Sequence, residues 1–256
     1  MTAPISAEAC CSSSYESAWL RALSEDIFHP GGAGLTHRTV AALGLSRGER
    51  LLDIGCGLAR TTKQAAAEGG FTLIGLDLSH RNLLEARQGR VEQPAAFVVG
   101  DAHRLPFCDG AFDGAICECV LSLFADKQAA LAEIHRVVKH GGRVGISDVC
   151  TNWDLPEDLV DAAAEWTCLT GALSRDRYVD LFGITQFDVA VLANETDEIL
   201  ELIRDVKRRL VALAAAGVAA GKPPTDLKTI RYWLDRIKTE VNSGSIEYLR
   251  FECIRV

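Results

Sequence analysis

Leu51-Leu52-Asp53-Ile54-Gly55-Cys56-Gly57-Leu58-Ala59-Arg60 decides how the whole chain is read. Apolar residues lead into Asp-x-Gly-x-Gly, and helical spacing follows over residues 61–68. That order predicts a strand, a tight turn and the start of a helix. Gly55 and Gly57 lack a Cβ, so the backbone there can take positive φ and a ligand can lie against it. A second apolar strand, Phe71 to Asp77, ends in a carboxylate about 20 residues past the glycines, where an acid can accept hydrogen bonds from ribose hydroxyls.

Two further strands are expected. Ala95 to Val99 runs into Gly100-Asp101-Ala102-His103-Arg104-Leu105-Pro106-Phe107, and Ala111 to Ile116 is the fourth. Strand and helix alternate from Gly48 to Val149, as a parallel sheet with crossover helices requires. Ser79 is placed to cap a helix over residues 80–88. Residues 127–138 form the next helix, closed by Lys139-His140-Gly141-Gly142 as a glycine C-cap, and Arg143 to Ser147 is the fifth strand.

At these residues the chain resembles the class I S-adenosylmethionine (SAM)-dependent methyltransferases. Asp53, Gly55, Gly57, Asp77, Gly100-Asp101-Ala102, Leu105-Pro106-Phe107 and Phe112-Asp113 carry the resemblance. It implies a Rossmann-like α/β fold with a seven-stranded, mostly parallel sheet and an antiparallel final strand. It also implies SAM as cofactor, held by Asp53, Gly55, Cys56, Gly57, Asp77, Leu78, Asp101, Ala102 and Glu118. Asp77 would take the ribose hydroxyls and Asp101 the adenine amino group. The dinucleotide fingerprint is incomplete, since Arg60 stands in place of its third glycine, and Ala59 occupies a position where the methyltransferase variant often has glycine.

The rest of the chain is helical with two strands. Residues 12–25 read as an amphipathic helix with Trp19, Leu20 and Leu23 on one face. Phe28-His29-Pro30-Gly31-Gly32-Ala33-Gly34 reads as irregular and leads into a helix over 36–43. The glycine-rich part is either a lid over the cofactor or a plain connector. A helix follows Pro156 to about Cys168, Ser174 caps another over 175–182, and Phe187 to Leu192 is the sixth strand. Helices over 197–216 and 226–241, joined by Gly221-Lys222-Pro223-Pro224, precede a final strand over 245–256. The expected organisation is one domain: N-terminal helices and glycine-rich segment (1–47), SAM-binding core (48–195), helical insertion (196–244) and final strand (245–256). The insertion reads as surface decoration, a dimer contact or a cap over substrate.

Composition narrows the class. Over 256 residues, 48% are apolar, enough for a sizeable core. The net charge of −8, with no basic block longer than Lys207-Arg208-Arg209, argues against a general nucleic-acid binder. No basic-then-apolar leader is visible, and the longest apolar run, Leu210 to Ala220, is too short to span a bilayer. The expectation is a cytoplasmic protein acting on a small molecule, with neither nucleic acid nor membrane as partner. Nine cysteines, an odd count without a C-x₂-C pair, argue against a disulfide framework and a structural zinc.

The cysteines carry a narrower resemblance. Ile116-Cys117-Glu118-Cys119-Val120-Leu121-Ser122-Leu123, Val137-Val138-Lys139-His140-Gly141-Gly142, Ser147-Asp148-Val149 and Cys168-Leu169-Thr170-Gly171-Ala172-Leu173 resemble the arsenite methyltransferases. By that resemblance Cys119 and Cys168 hold trivalent arsenic beside the SAM methyl, with Cys10, Cys11 or Cys117 as a third ligand and a thiol reductant as co-reactant. Glu118 departs from the family, which often has Asn before the cysteine, and the carboxyl-terminal part does not match. The alternative is a small organic acceptor of the quinone-biosynthesis type, with His29, His37 or Glu118 as base and the cysteines incidental.

Overall fold

The computed structural model describes residues 29–88, 94–152, 155–159, 168–216 and 226–256, together with Arg21 and Leu23. The strands are β1 (Arg50–Ile54), β2 (Thr72–Asp77), β3 (Ala95–Val99), β4 (Phe112–Glu118), β5 (Val138–Thr151), β6 (Phe187–Asn194) and β7 (Ile246–Arg255). The helices are α1 (Gly32–Ala42), α2 (Arg60–Gly69), α3 (His80–Ala86), α4 (Lys127–Val137), α5 (Arg175–Ile184), α6 (Asp197–Ala216) and α7 (Leu227–Ser243). The sheet runs β3-β2-β1-β4-β5-β7-β6. β3 to β5 pair in parallel, and β7 lies antiparallel between β5 and β6. This is the expected fold.

Strand order reverses at β1, with β2 on one side and β4 on the other. In an open α/β sheet, ligands bind outside the carboxyl ends of the strands at such a switch point. The core follows from the apolar strands. Leu52, Ile54, Ala115, Cys117, Ile146 and Phe251 lie in one cluster, while Leu51, Leu73, Leu83, Phe97 and Ile116 lie in another. The alternation of Ile116 and Cys117 between them is the period-2 rule of a strand buried on both sides.

Capping at Ser79 and Ser174 is as expected: the Ser79 hydroxyl accepts from the Asn82 N–H at 3.0 Å, and Ser174 caps α5; Asp226, expected as the first helical residue, is instead the cap of α7. The helical pair α6 and α7 stands between β6 and β7, and Leu23 packs with Leu210 and Ile230 beneath it. The rest of the helix read over 12–25, most of that after Pro156 and the Gly221–Pro224 joint lie outside the described residues.

Three expectations are corrected. The Gly32-Ala33-Gly34 segment opens α1 rather than preceding it, entered through Gly31 and Gly32 in the left-handed region at φ 77° and 46°. Glycine takes positive φ without a Cβ clash, so Gly31 and Gly32 can turn the chain into the helix. Helix α4 does not end on the glycines. It stops at Val137, and Val138 is already extended because it pairs with Phe112. β5 therefore runs from Val138 to Thr151 rather than 143–147, and β7 pairs with it from Arg143 to Thr151. β4 reaches Glu118, so Cys117 and Glu118 are strand residues, paired with Ile146 and Ser147, and only Cys119 begins the loop.

Candidate cofactor and acceptor site

Asp53, Asp77, Asp101 and Glu118 stand at or just past the carboxyl ends of four adjacent parallel strands. The turn after β1 is pinned to β2: the N–H groups of Gly55 and Cys56 both donate to Leu76 O, at 2.8 and 3.0 Å. Asp77 spans the same joint. One carboxylate oxygen accepts from Gly57 N–H at 2.8 Å and the other from Ser79 N–H at 2.7 Å. Gly55 and Gly57 hold φ of 70° and 51°. A Cβ on Gly57 would meet nothing within 4 Å, whereas one on Gly55 would lie 2.7 Å from two Val120 carbons. The turn is thus open on one side and closed by the β4 loop on the other.

Ala59 also lies in the left-handed region, at φ 50°, and is buried. That conformation is the physical reason glycine is common there, and alanine is the smallest side chain that still disfavours it. Cys56 hangs into a space kept by Gly75, whose Cβ would sit 2.8 Å from the Cys56 sulfur. Burial, then the charges of Asp53 and Asp77, push its thiol well above the ordinary range.

Asp53 is buried and accepts a short hydrogen bond from the Thr62 hydroxyl. Burial raises its carboxyl to about 7 against that bond, and the charges of Glu118 and Asp77 add to the rise. A carboxyl raised in the folded state is stabilising while protonated. That contribution is complete below the unfolded value near 3.8 and is lost as pH climbs through about 7. Asp53→Asn keeps an oxygen for Thr62 and cannot ionise. Its stability relative to the parent should therefore grow between pH 4 and pH 8, by up to about 4 kcal/mol. Denaturant unfolding of both proteins at both pH values checks this. An unchanged gap would mean that Asp53 titrates as an ordinary carboxyl.

Glu118 binds the N-terminal helix to the site. Its oxygens accept from the hydroxyls of Thr36 at 2.7 Å and Thr39 at 3.1 Å, both from α1. His29 Nε2 lies 3.9 Å from the same carboxylate, and His29 Nδ1 is 3.1 Å from Pro30 O. His37 is turned elsewhere, with its Nδ1 3.2 Å from Glu68. Thr36 and Thr39 went unread. Their signal was a Thr-x-x-Thr pair on the face shared with the buried Leu35 and Val40, where a solvent-facing helix would not place hydroxyls.

Cys119 follows β4 with φ 56°, a left-handed conformation unusual for a side chain with a Cβ, and its N–H donates to Ser147 O at 2.7 Å. It is 8% exposed. Around it cluster Leu35 of α1, Val149 of β5, Leu169, Ile199 and Ile203 of α6, Val241 of α7 and Tyr248 of β7. The Tyr248 phenol donates to the Ser147 hydroxyl at 3.1 Å and is held protonated by burial, with the neighbouring Cys119 adding to the effect. Cys117 lies in the other cluster, fully buried with its thiol pushed up by desolvation. Only Glu118 stands between the two cysteines, but the strand ends there and the left-handed turn at Cys119 carries it into a different surrounding.

Asp148 braces the loop. Its carboxylate is fully buried, accepts from Ser122 N–H and Val149 N–H at 2.7 Å each, and is raised to about 6 by burial. Lys127 Nζ donates to Ser122 O and Phe124 O. The single helical turn Cys168–Gly171 packs on the turn Leu121–Leu123, and a Cβ on Gly171 would fall 2.0 Å from Ser122 O. The turn that Cys168 opens thus stands beside the loop that begins at Cys119; the Cys168 side chain, with Cys10 and Cys11, lies outside the described residues. Among the described residues no three His, Cys, Asp or Glu side chains gather as a metal site.

The polar groups fit SAM. Asp77 and Asp101 are acceptors for hydroxyl and amino groups, and Leu78 offers a half-exposed apolar surface beside them.

Comparison with known proteins agrees. Residues 52–146 match the family model described as a methyltransferase domain. The arsenite methyltransferase of Halobacterium salinarum is 31% identical over 191 residues, 71% of this chain and 49% of that protein. A demethylmenaquinone methyltransferase of Beutenbergia cavernae is 35% identical over 130 residues, 50% of this chain and 53% of that protein. The cyclopropane synthase MmaA2 of Mycobacterium tuberculosis shares the fold at a TM-score of 0.81 with 14% identity, over 100% of this chain and 99% of that one. Fold, motifs and matched segment place the chain among the class I SAM-dependent methyltransferases. It spans about half the length of the curated relatives it matches.

Proposed function

We propose that the chain transfers a methyl group from SAM to a thiol-bound trivalent metalloid, with arsenite as the acceptor. The observation that carries this reading is the packing of the Cys168–Gly171 turn on the loop that opens with Cys119. Thiolates are the ligands a soft, thiophilic centre prefers, and two of them from adjacent turns would fix its orientation. The similarity to the halobacterial arsenite methyltransferase supports the same reading.

SAM supplies an electrophilic methyl on a sulfonium. Asp77, Leu78 and Asp101 hold its nucleoside, and the turn from Asp53 to Gly57 takes its methionine end, with Ala102 and Glu118 alongside. Cys119 and Cys168 hold the acceptor. Trivalent arsenic keeps a lone pair and carries no proton, so no general base is required, and rate comes from proximity and alignment. The aliphatic side chains of α1, α6 and α7 around Cys119 exclude water, which makes the helical insertion a cap over substrate. A thiol reductant completes the reaction by keeping the cysteines and the metalloid reduced.

One observation favours a second reading. The surroundings of Cys119 are aliphatic, and His29 with Glu118 supplies a base, as an organic acceptor of the quinone-biosynthesis type would use. Labelled SAM offered with arsenite, selenite and a panel of phenols, with thiol present, decides between the two. Label on arsenic is the expected result; label on a phenol alone transfers the site to the organic reading.

A further inference from the structure

His103 follows β3 in the short helical turn Ala102–Arg104, which Asp101 caps. Its ring stands between two parts of the site. His103 Nδ1 lies 2.6 Å from Asp101 Oδ1, and the same oxygen accepts the His103 main-chain N–H at 2.9 Å. On the far side of the ring, Nε2 accepts the main-chain N–H of Asp126 at 3.2 Å. A carboxylate oxygen only accepts and an amide N–H only donates, so these contacts define one state: neutral imidazole, proton on Nδ1, lone pair on Nε2. The ring edge also meets Phe124 at 5.7 Å between centroids.

The two partners belong to different functions. Asp101 sits at the end of β3, where the proposed reading puts the adenine. Asp126 caps α4 through Ala129 N–H and closes the loop that starts at Cys119. Burial works against the charge on Asp101, but the His103 main-chain and ring N–H groups outweigh it and hold the carboxyl below its ordinary range. A carboxylate kept ionised, with one oxygen fixed, presents its other oxygen in a defined direction to an amino group.

We infer that His103 is a positioning residue that holds the adenine-binding carboxylate of Asp101 and the end of the acceptor loop at Asp126 as one unit. It touches neither the methyl group nor the acceptor. Occupancy of the adenine seat then steadies the start of α4 and the loop Leu121–Asp126. This rests on the reading of SAM as cofactor.

The two bonds can be separated by substitution. Asparagine can offer an amide N–H near the Nδ1 position but has nothing that reaches Asp126. Alanine removes both bonds. In the full chain, His103→Ala should weaken S-adenosylhomocysteine binding by about tenfold in calorimetry, and His103→Asn should return it to within about threefold of the parent. In the parent, S-adenosylhomocysteine should slow hydrogen exchange of the Asp126 amide; in His103→Asn it should bind without doing so. Nitrogen NMR of the parent should show Nδ1 protonated and Nε2 bare. A parent that binds no S-adenosylhomocysteine overturns the cofactor reading and the role of His103 with it. A parent that binds while His103→Ala binds equally well overturns the role of His103 alone. So does an Nε2-protonated ring, or equal slowing of the Asp126 amide in His103→Asn.

Discussion

Under the metalloid reading, Cys119→Ser and Cys168→Ser should each abolish arsenite methylation while leaving SAM affinity nearly intact. Serine keeps the size of the side chain and removes the soft ligand, so this pair isolates the metal-binding property of the thiol. At Cys119 the left-handed backbone, the Ser147 contact and the aliphatic surroundings do not depend on sulfur, so the loop should survive the change. Thiolate is the binding form, and an unperturbed thiol near ~8.5 is mostly protonated at neutral pH, so arsenite affinity of the parent should tighten as pH rises toward that value. Cys253→Ser is the control. Cys253 is fully buried on β7 in the main core cluster, with its thiol pushed up to about 12 by burial, and it lies outside the Cys119 cluster. It should cost stability without touching arsenite turnover. Arsenite titration by tryptophan fluorescence, with turnover measured alongside, covers all three. Methylation at the parent rate in both site variants, or none in the parent, ends the metalloid reading.

Gly55→Ala should weaken SAM binding through geometry rather than chemistry. The backbone at φ 70° disfavours any side chain by about 1–2 kcal/mol. The added methyl also lands 2.7 Å from two carbons of Val120, the residue after Cys119. Either the glycine turn or the acceptor loop must shift, and both lie at the proposed cofactor site. Affinity should fall by at least about tenfold. Gly48→Ala separates the two causes. Gly48 holds φ 88° with open space around a Cβ, away from the switch point, so it carries the backbone cost alone and should leave SAM affinity within about twofold. Val120→Ala added to Gly55→Ala should recover part of the loss. Calorimetry on the four proteins checks this; a Gly55→Ala protein that binds SAM like the parent would place the cofactor elsewhere.

The mostly parallel seven-stranded sheet and its antiparallel final strand were legible in the sequence because the strands rest on local signals. Asp-x-Gly-x-Gly between an apolar run and a helical pattern admits little else, and Asp77 falls at a strand end that its own apolar residues define. Ser79 and Ser174 cap helices three residues away, within reach of their own side chains. The bounds of β4 and β5 were misjudged for a non-local reason. β5 reaches back to Val138 because Phe112 pairs with it, and forward to Thr151 because β7, a hundred residues on, supplies the partner hydrogen bonds.

The sequence alone determined the Rossmann-like core, the glycine turn after its first strand and the presence of many thiols. Only the tertiary structure decided which groups meet. Thr36 and Thr39 share Glu118 across some eighty residues, and Tyr248 closes on Ser147 and Cys119 from the last strand. Cys117 and Cys119, two residues apart, fall into different clusters because a strand ends between them. The reason is physical. Hydrogen bonds to a nearby backbone are set by side-chain length and spacing, whereas contacts between distant segments form only when the burial of apolar faces has chosen how those segments pack.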